Sequence, residues 1–259
     1  MSIENLRQFH NFIKSSLLEF SKKNGGTILL DIAVGRGGDL FKWHHNNFKV
    51  VIGFDPHKES IDEARRRLNT QLKQNKKFPY TKYFMLDMLD SEVLQKLNNL
   101  ERNIKGLESH TYDVVSCQFA FHYFSKYMEQ VLQFISIKLN NYGIFIGTAS
   151  DGDVIYDLVK SNNYFNGMLS IEKIDNEKYT FNITSTSSST YFEVKGKSEE
   201  YFLFKEKFIE TAKKYNLYLL EIKSFSDWYT EYSSPMSPEE CQISFLNFSF
   251  SFIKFPFQQ

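Results

Sequence analysis

The chain has 259 residues, with 31 basic against 31 acidic side chains and so a formal net charge of zero. That length suits one large α/β domain, or a domain with an insertion, and zero net charge excludes a global field that recruits nucleic acid, so any such contact has to be local and small. Two cysteines, Cys117 and Cys241, lie far apart without metal-ligand spacing, which argues against a zinc site or a disulfide framework and for a reducing compartment.

In chain order, residues 1–20 carry Glu4, Arg7, Lys14 and Glu19 and lack a signal-peptide core. No apolar run is long enough to span a bilayer, so a soluble, intracellular protein with no membrane partner is expected. Ile3 to Ser21 reads as an amphipathic helix, with Leu6, Phe9, Ile13, Leu17 and Phe20 at helical spacing, stopped by Asn24-Gly25-Gly26. Strand-like runs follow at Thr27–Ile32, Lys49–Phe54, Tyr80–Leu86, Asp113–Cys117 and Tyr142–Thr148. Helical segments separate them at Asp39–Asn46, Lys58–Lys73, Ser91–Asn99 and Ser125–Leu139. This alternation predicts a parallel sheet with helices on both faces and every strand's carboxyl end on one rim. After Ser150, Asp153–Ser161 looks helical. Ser161 to Ser198 is polar, with β-like stretches at Tyr179–Thr184 and Thr190–Lys195, and reads as a hairpin-bearing insertion above the sheet that serves as a lid. Glu200–Tyr215 reads as a helix, Leu217–Ile222 as a strand and Ile243–Phe255 as a last aromatic strand, together closing the sheet with an antiparallel edge pair. The predicted organisation is one domain over 1–259: an N-terminal helix (1–23), a cofactor-binding core (24–150), a lid or insertion (151–199), and a C-terminal helix with closing strands (200–259).

The chemistry concentrates at strand ends. Ile28–Asp31 runs into Ala33-Val34-Gly35-Arg36-Gly37-Gly38 and then a helix near Asp39, a strand–turn–helix suited to a nucleotide-sized ligand. Asp55 closes the next strand, about 20 residues on, where an acid accepts both ribose hydroxyls of an adenosine or caps the helix near Lys58. The turn fails the G-x-G-x-x-G spacing of dinucleotide sites, and S-adenosylmethionine fits the layout better. Asp87 ends the third strand, as an acceptor for an adenine amino group or as a turn residue. Asp31, Asp55 and Asp87 therefore share one rim. At the exit of the fourth strand, Gln118, Phe119, His122 and Tyr123 crowd together, either as flat rings and donors for a base or as an aromatic core with a satisfied histidine.

Asp31–Trp43 together with Ser116–Tyr123 closely resembles the mRNA cap guanine-N7 methyltransferases. Arg7–Ser15 is similar to that family's N-terminal helix, and Gly147–Asp153 to its loop after the fifth strand. Ile171–Ile174 and Glu199-Glu200-Tyr201 resemble its poxvirus and giant-virus members. The match runs in order along nearly the whole chain. It implies a Rossmann-like class I methyltransferase: a mostly parallel seven-stranded sheet with an antiparallel edge strand, helices on both faces and a hairpin insertion. The implied cofactor is S-adenosylmethionine and the implied partner the capped 5′ end of RNA, not DNA. A triphosphatase or guanylyltransferase domain or a stimulatory subunit is a further implied partner. The implied location is nucleus or cytoplasm, or cytoplasm and virion for a viral protein.

Carried over by position, the resemblance assigns Lys14 to the methionine carboxylate, Asp55 to the ribose, Asp87 to the adenine and Gln118 to the methionine end. Asp31, Ala33, Gly35 and Tyr123 also face the cofactor. Phe119, His122 and Tyr123 form the guanine pocket, and Glu200 accepts from the guanine N1 and N2 edge. His10, Asn11, Arg36, Lys42 and Arg67 face cap ribose and phosphates, and Phe245 or Phe248 covers the cap. Four departures from the family pattern stand out. Ala33 replaces the first glycine, His10 the first asparagine of a pair and Arg36 a lysine, and a phenylalanine stands for the C-terminal tyrosine. Guanine N7 carries a lone pair and no proton, so the transfer needs no acid or base. His122 is then a binding residue, and Glu200 has at most an electrostatic role. The runner-up readings are a small-molecule methyltransferase on the same fold and a non-catalytic cap- or RNA-binding module.

Overall fold

Leu6, Phe9, Ile13 and Leu17 fall on one face of helix α1 (Glu4–Lys23), and the computed structural model buries all four against the sheet that follows. The structure describes residues 3–74, 77–107, 109–183 and 197–256. After α1 the chain alternates as the hydrophobic pattern requires: β1 (Ile28–Asp31), α2 (Leu40–His45), β2 (Val50–Asp55), α3 (Lys58–Lys73), β3 (Tyr80–Met85), α4 (Val93–Glu101) and β4 (Tyr112–Gln118). A 3-10 helix (Phe121–Tyr127) leads into α5 (Met128–Lys138) and β5 (Leu139–Ser150). The chain continues through α6 (Gly152–Val159), β6 (Tyr164–Phe165), β7 (Leu169–Lys173), β8 (Lys178–Ile183), β9 (Lys197–Tyr201), α7 (Lys205–Lys214), β10 (Leu217–Ser224), α8 (Phe225–Tyr229), α9 (Pro238–Ser244) and β11 (Asn247–Lys254).

Seven strands form one sheet in the order β10-β11-β5-β4-β1-β2-β3. Only β11 runs against the rest, paired antiparallel with both β5 and the edge strand β10. One face carries α1, α2, α3, α8 and α9 over Leu29, Val51 and Val114. The other carries α4, α5 and α7 over Leu30, Ile52 and Val115, the alternation a doubly covered strand demands. From β1 the chain moves outward through β2 and β3, then returns to build β4 and β5 on the other side. The order therefore reverses between β1 and β4, where Asp31 lies in register with Ser116. Open α/β sheets bind ligands at that reversal, outside the strands' carboxyl ends.

Three segments differ from the expectation. Glu200 does not start a helix: Lys197–Tyr201 pairs with β8, and α7 begins only at Lys205. The hairpin-bearing insertion holds more strands than the two expected, a four-stranded antiparallel sheet β6-β7-β8-β9 in which the expected stretch Tyr179–Thr184 corresponds to β8; the expected stretch Thr190–Lys195 lies outside the described residues. The last strand starts at Asn247 because Ser237 and Glu240 form a capping box, with Pro238 in the first turn, that nucleates α9 ahead of it.

Candidate active site

The glycine turn is clamped from three sides. Val34 N–H donates to Phe54 O at 3.1 Å, and Gly35 N–H to Asp55 Oδ2 at 3.1 Å. Gly37 has φ +68°, and a Cβ there would sit 3.0 Å from Ala64 Cβ of α3. At Gly53, on β2, a Cβ would meet Val34 Cγ2 at 2.9 Å. Both glycines are thus required by close approach of the turn to its neighbours. Ala33 is half-buried in the turn, and its N–H donates to Asp31 Oδ1 at 3.2 Å. Asp55 also accepts the His57 N–H at 2.9 Å, so it ties the turn to the start of α3 without being that helix's own N-cap.

Two buried carboxyl groups at this turn have opposite electrostatics. Burial, then the charge of Asp39, push Asp31 up to about 8; the Ala33 N–H and Lys14 oppose this and Asp55 adds to it. Asp31 is therefore mostly protonated at neutral pH. Burial also penalises the Asp39 carboxylate, but Lys14 at 2.7 Å and Lys42 at 2.8 Å outweigh it and hold Asp39 below the usual range. Lys14 and Lys42, expected at the methionine carboxylate and the cap phosphates, thus share one carboxylate and leave one positive charge over.

At the exit of β4 the aromatic run splits. Phe121 enters the core 4.6 Å from Phe208, so the core reading holds for that ring. Phe119 adopts φ +54°, a left-handed conformation costly for a bulky residue. It is held by N–H bonds to Thr148 O at 2.9 Å and Thr148 Oγ1 at 3.0 Å. Gln118 accepts from Thr148 Oγ1 at 3.1 Å and donates to Ser116 Oγ at 3.2 Å. His122 is buried, and Ser150 N–H donates to its Nδ1 at 3.2 Å, which leaves the ring proton on Nε2, 3.6 Å from Glu200 Oε2. Burial lowers the His122 pKa against the pull of Glu200, so the ring is neutral at neutral pH. The Tyr123 ring lies 4.3 Å from that of His122.

Glu200, 5 % exposed, is ringed by hydroxyl donors: Tyr179 at 2.6 Å, Ser198 at 3.1 Å, and Tyr123 and Ser150 at 3.4 Å. Tyr179, Ser150 and Ser198 were not anticipated. The sequence signals for them are the segment Gly147–Asp153, which contains Ser150, and Tyr179 among polar neighbours on a β-like stretch.

Helix α1 joins the two halves. His10 and Lys14 are one turn apart on the same face. His10 stacks on Phe119 at 4.9 Å and bonds Ser244 Oγ at 2.9 Å, while Lys14 reaches Asp39. Burial, reinforced by Lys14, pushes His10 down to about 3, so it too is neutral. Leu6 N–H, an orphan donor of the first turn, is taken by Glu240 Oε1 at 3.0 Å, which docks α1 on α9.

Other expected residues stand apart from this arrangement or at its rim. Asn11 is half-buried next to His10, and Arg36 half-buried in the turn. Arg67 is drawn to Glu63 of its own helix at 2.8 Å. Asp87 is exposed, two residues beyond β3, and closes a turn by accepting the Leu89 N–H at 2.9 Å. Phe248 does not reach the rim: it is 1 % exposed, because the phenylalanines alternating along β11 turn into the core beside Phe250. Phe245, half-buried 5.5 Å from Tyr229 at the end of α9, is the C-terminal aromatic nearer the surface.

Among solved structures, the chain is similar to an S-adenosylmethionine-dependent methyltransferase from Clostridium acetobutylicum, with TM-score 0.56 and 15 % identity, covering 96 % of this chain and 92 % of that one. It is also similar to the CcbJ methyltransferase from Streptomyces caelestis, with TM-score 0.61 and 11 % identity over 93 % and 89 % of the two chains. The fold is that of the class I S-adenosylmethionine-dependent methyltransferases. A family model described as the mRNA (guanine-N(7))-methyltransferase domain matches residues 1–242, and the chain belongs to that family. Curated relatives include the mRNA cap guanine-N(7) methyltransferase of Drosophila melanogaster, 26 % identical over 245 residues, 87 % of this chain and 56 % of that protein. The Caenorhabditis briggsae enzyme of the same name is 34 % identical over 165 residues, 60 % of this chain and 41 % of that one. The chain thus spans roughly half the length of the relatives it matches. No helix among the described residues is long and apolar enough to cross a membrane.

Proposed function

We propose that this chain transfers the methyl group of S-adenosylmethionine to N7 of the guanine in the cap of mRNA, GpppN-RNA becoming m7GpppN-RNA. The observation that carries it is the buried Glu200 carboxylate, ringed by hydroxyls and facing the neutral His122, on the same rim as the glycine turn. A recessed acceptor beside flat rings suits the two-donor N1 and N2 edge of a guanine.

The residues at the turn fit the cofactor. Asp55 supplies an acceptor for ribose hydroxyls. Asp31, mostly protonated, is a carboxyl that a neighbouring cation would ionise, and S-adenosylmethionine brings an ammonium and a sulfonium. Lys14 is the cation for a carboxylate, already oriented by Asp39. Gln118 stands between the turn and the aromatic pocket. When bound, the cofactor supplies an electrophilic methyl group with a neutral thioether leaving group.

This chain's own work is then positioning. Guanine N7 needs no deprotonation, so no residue acts as base, and neutral His122 with its proton on Nε2 serves as a donor and a wall. The two long contacts to Glu200, from Tyr123 and Ser150, are those a guanine would replace. Tyr179 and Ser198 continue to hold the carboxylate. Alignment of two bound reactants is worth up to about 7–11 kcal/mol, and a carboxylate opposite the ring favours positive charge arriving on the guanine. The capped RNA 5′ end is the partner of this reading. A guanylyltransferase or triphosphatase domain or a stimulatory subunit is a further one, and the nucleus or cytoplasm, where caps are made, is the setting.

The test is label transfer from S-adenosylmethionine to GpppA-capped RNA, uncapped RNA and free GTP. Transfer to capped RNA alone is expected. Cofactor binding without transfer to any of the three would favour a non-catalytic cap-binding module, and transfer to free GTP without transfer to capped RNA would favour a small-molecule substrate.

A further inference from the structure

Zero net charge hides a segregation along the chain. Residues 36–82 hold eleven basic side chains against five acidic ones, and the rest of the chain holds the compensating acidic excess. Along α3 much of this is neutralised locally, as Lys58 pairs with Asp62 and Arg66 and Arg67 with Glu63. Lys49, Lys73, Lys77 and Lys82, by contrast, are exposed and form no ion pair among the described residues. Lys73 and Lys77 bracket the connection from α3 to β3, and Lys49 O accepts the Tyr80 N–H at 2.9 Å. Three of the four therefore gather at the amino end of β2 and the edge strand β3.

Aromatic rings interleave with these cations. Phe78 packs against Phe41 at 5.5 Å and against His44 at 4.8 Å, with His45 5.6 Å beyond. Phe41 is 43 % and Tyr80 47 % exposed, and Lys82 Nζ sits 5.7 Å over the Tyr80 ring. Helix α2 leads from the glycine turn at the carboxyl rim back toward this cluster, and the lysines at the amino ends of the six-residue strands β2 and β3 lie about 20 Å from that rim.

We propose that the RNA body following the cap runs along this edge, its phosphates on the lysines and its bases against the exposed rings. Single strands are bound sequence-independently in this way, by cations that follow the backbone and aromatic faces that take any base. Exposed rings set among unpaired cations are the pattern of a single-strand groove, and an acidic protein is the other occupant, which RNA binding decides for or against. The proposal rests on the cap reading above and adds a polymer contact outside the guanine pocket.

Two variants and two readouts test it. K49A/K73A/K77A removes charges that touch neither the turn nor the guanine pocket, and F41A removes an exposed ring. One readout is binding of an uncapped single-stranded RNA of about 20 nucleotides, followed by fluorescence anisotropy between roughly 50 and 200 mM salt. The other is methyl transfer to the dinucleotide GpppA. The triple variant is expected to bind RNA about tenfold more weakly, with the log–log salt slope shallower by about two, near 0.7 for each phosphate that is no longer neutralised. F41A is expected to bind about fivefold or more weakly with its slope unchanged, and both variants should methylate GpppA like wild type. RNA binding that is equal in wild type and triple variant overturns the proposal and leaves an acidic protein as the occupant of this edge. Wild-type binding without salt dependence overturns it as well. Failure of the wild-type chain to methylate GpppA would overturn the cap reading instead, and the RNA-binding readout would still decide this one.

Discussion

His122 on the 3-10 helix and Glu200 on the inserted sheet face each other with 3.6 Å between Nε2 and Oε2, both nearly excluded from solvent. The pair joins the core sheet to the insertion, and it puts a fixed negative charge against a ring that stays neutral. Replacing Glu200 by glutamine keeps the size and one acceptor oxygen but removes the charge, and its amide NH2 no longer accepts from the two hydroxyls that the other oxygen holds. One charge-assisted hydrogen bond is worth roughly 1.5–3 kcal/mol, so kcat/KM for capped RNA is expected to fall about 10- to 100-fold. A change within about twofold would remove any electrostatic role for Glu200.

Asp31 connects ligand binding to protons. Its folded pKa, about 8 from burial and the nearby Asp39 charge, lies above its unfolded value. The unfolded chain thus gives up this proton first, and stability is lost as pH rises from about 4 through 8. Asp31→Asn is expected to unfold at a higher temperature than wild type at pH 8 and at a similar one at pH 4. The same substitution should weaken S-adenosylmethionine binding. Calorimetry in two buffers of different ionisation enthalpy should show a proton released on binding to wild type at pH 7 and none released by the variant.

His10 has the opposite sign. Its pKa is depressed to about 3 by burial and Lys14, so the unfolded chain takes up a proton that the folded chain refuses. That stability is present above about pH 6.5 and declines on acidification, by about 2 kcal/mol at pH 5. His10→Asn, neutral throughout, should show a flatter stability profile between pH 7 and 5 in urea unfolding. An unchanged slope would show that His10 is protonated in the folded protein.

Gly37→Ala should disturb the turn without touching any charged group. The position is left-handed, and its new methyl would lie 3.0 Å from Ala64 Cβ. A cost of about 1–3 kcal/mol is expected, together with weaker cofactor binding by equilibrium dialysis. Gly38→Ala, where a Cβ meets nothing within 4 Å, is the control and should retain affinity.

Much of this arrangement was legible in the sequence because it depends on local order. Apolar runs ending in Asp31 and Asp55 mark strand ends whatever the tertiary context, and the crowding of Gln118 to Tyr123 marks a rim. What was not legible depends on partners distant in the chain. Glu200 precedes a true helix and shares its polar character, and only pairing with β8 makes it a strand residue whose alternate side chain faces His122. Phe248 belongs to a strand with aromatics at every second position, and period-two spacing does not say which face is the core. Asp39 was legible as a helix start, but its hold on both Lys14 and Lys42 exists only once α1 folds back across the turn.

The central claim is that the guanine of the cap is the methyl acceptor, at N7. The most direct measurement is to incubate the chain with labelled S-adenosylmethionine and GpppA-capped RNA or m7GpppA-capped RNA, digest the products to cap dinucleotides and separate them. Label is expected in m7GpppA from the unmethylated cap, and none from the already methylated one. Label in both, or in nucleotides other than the cap guanine, would contradict it.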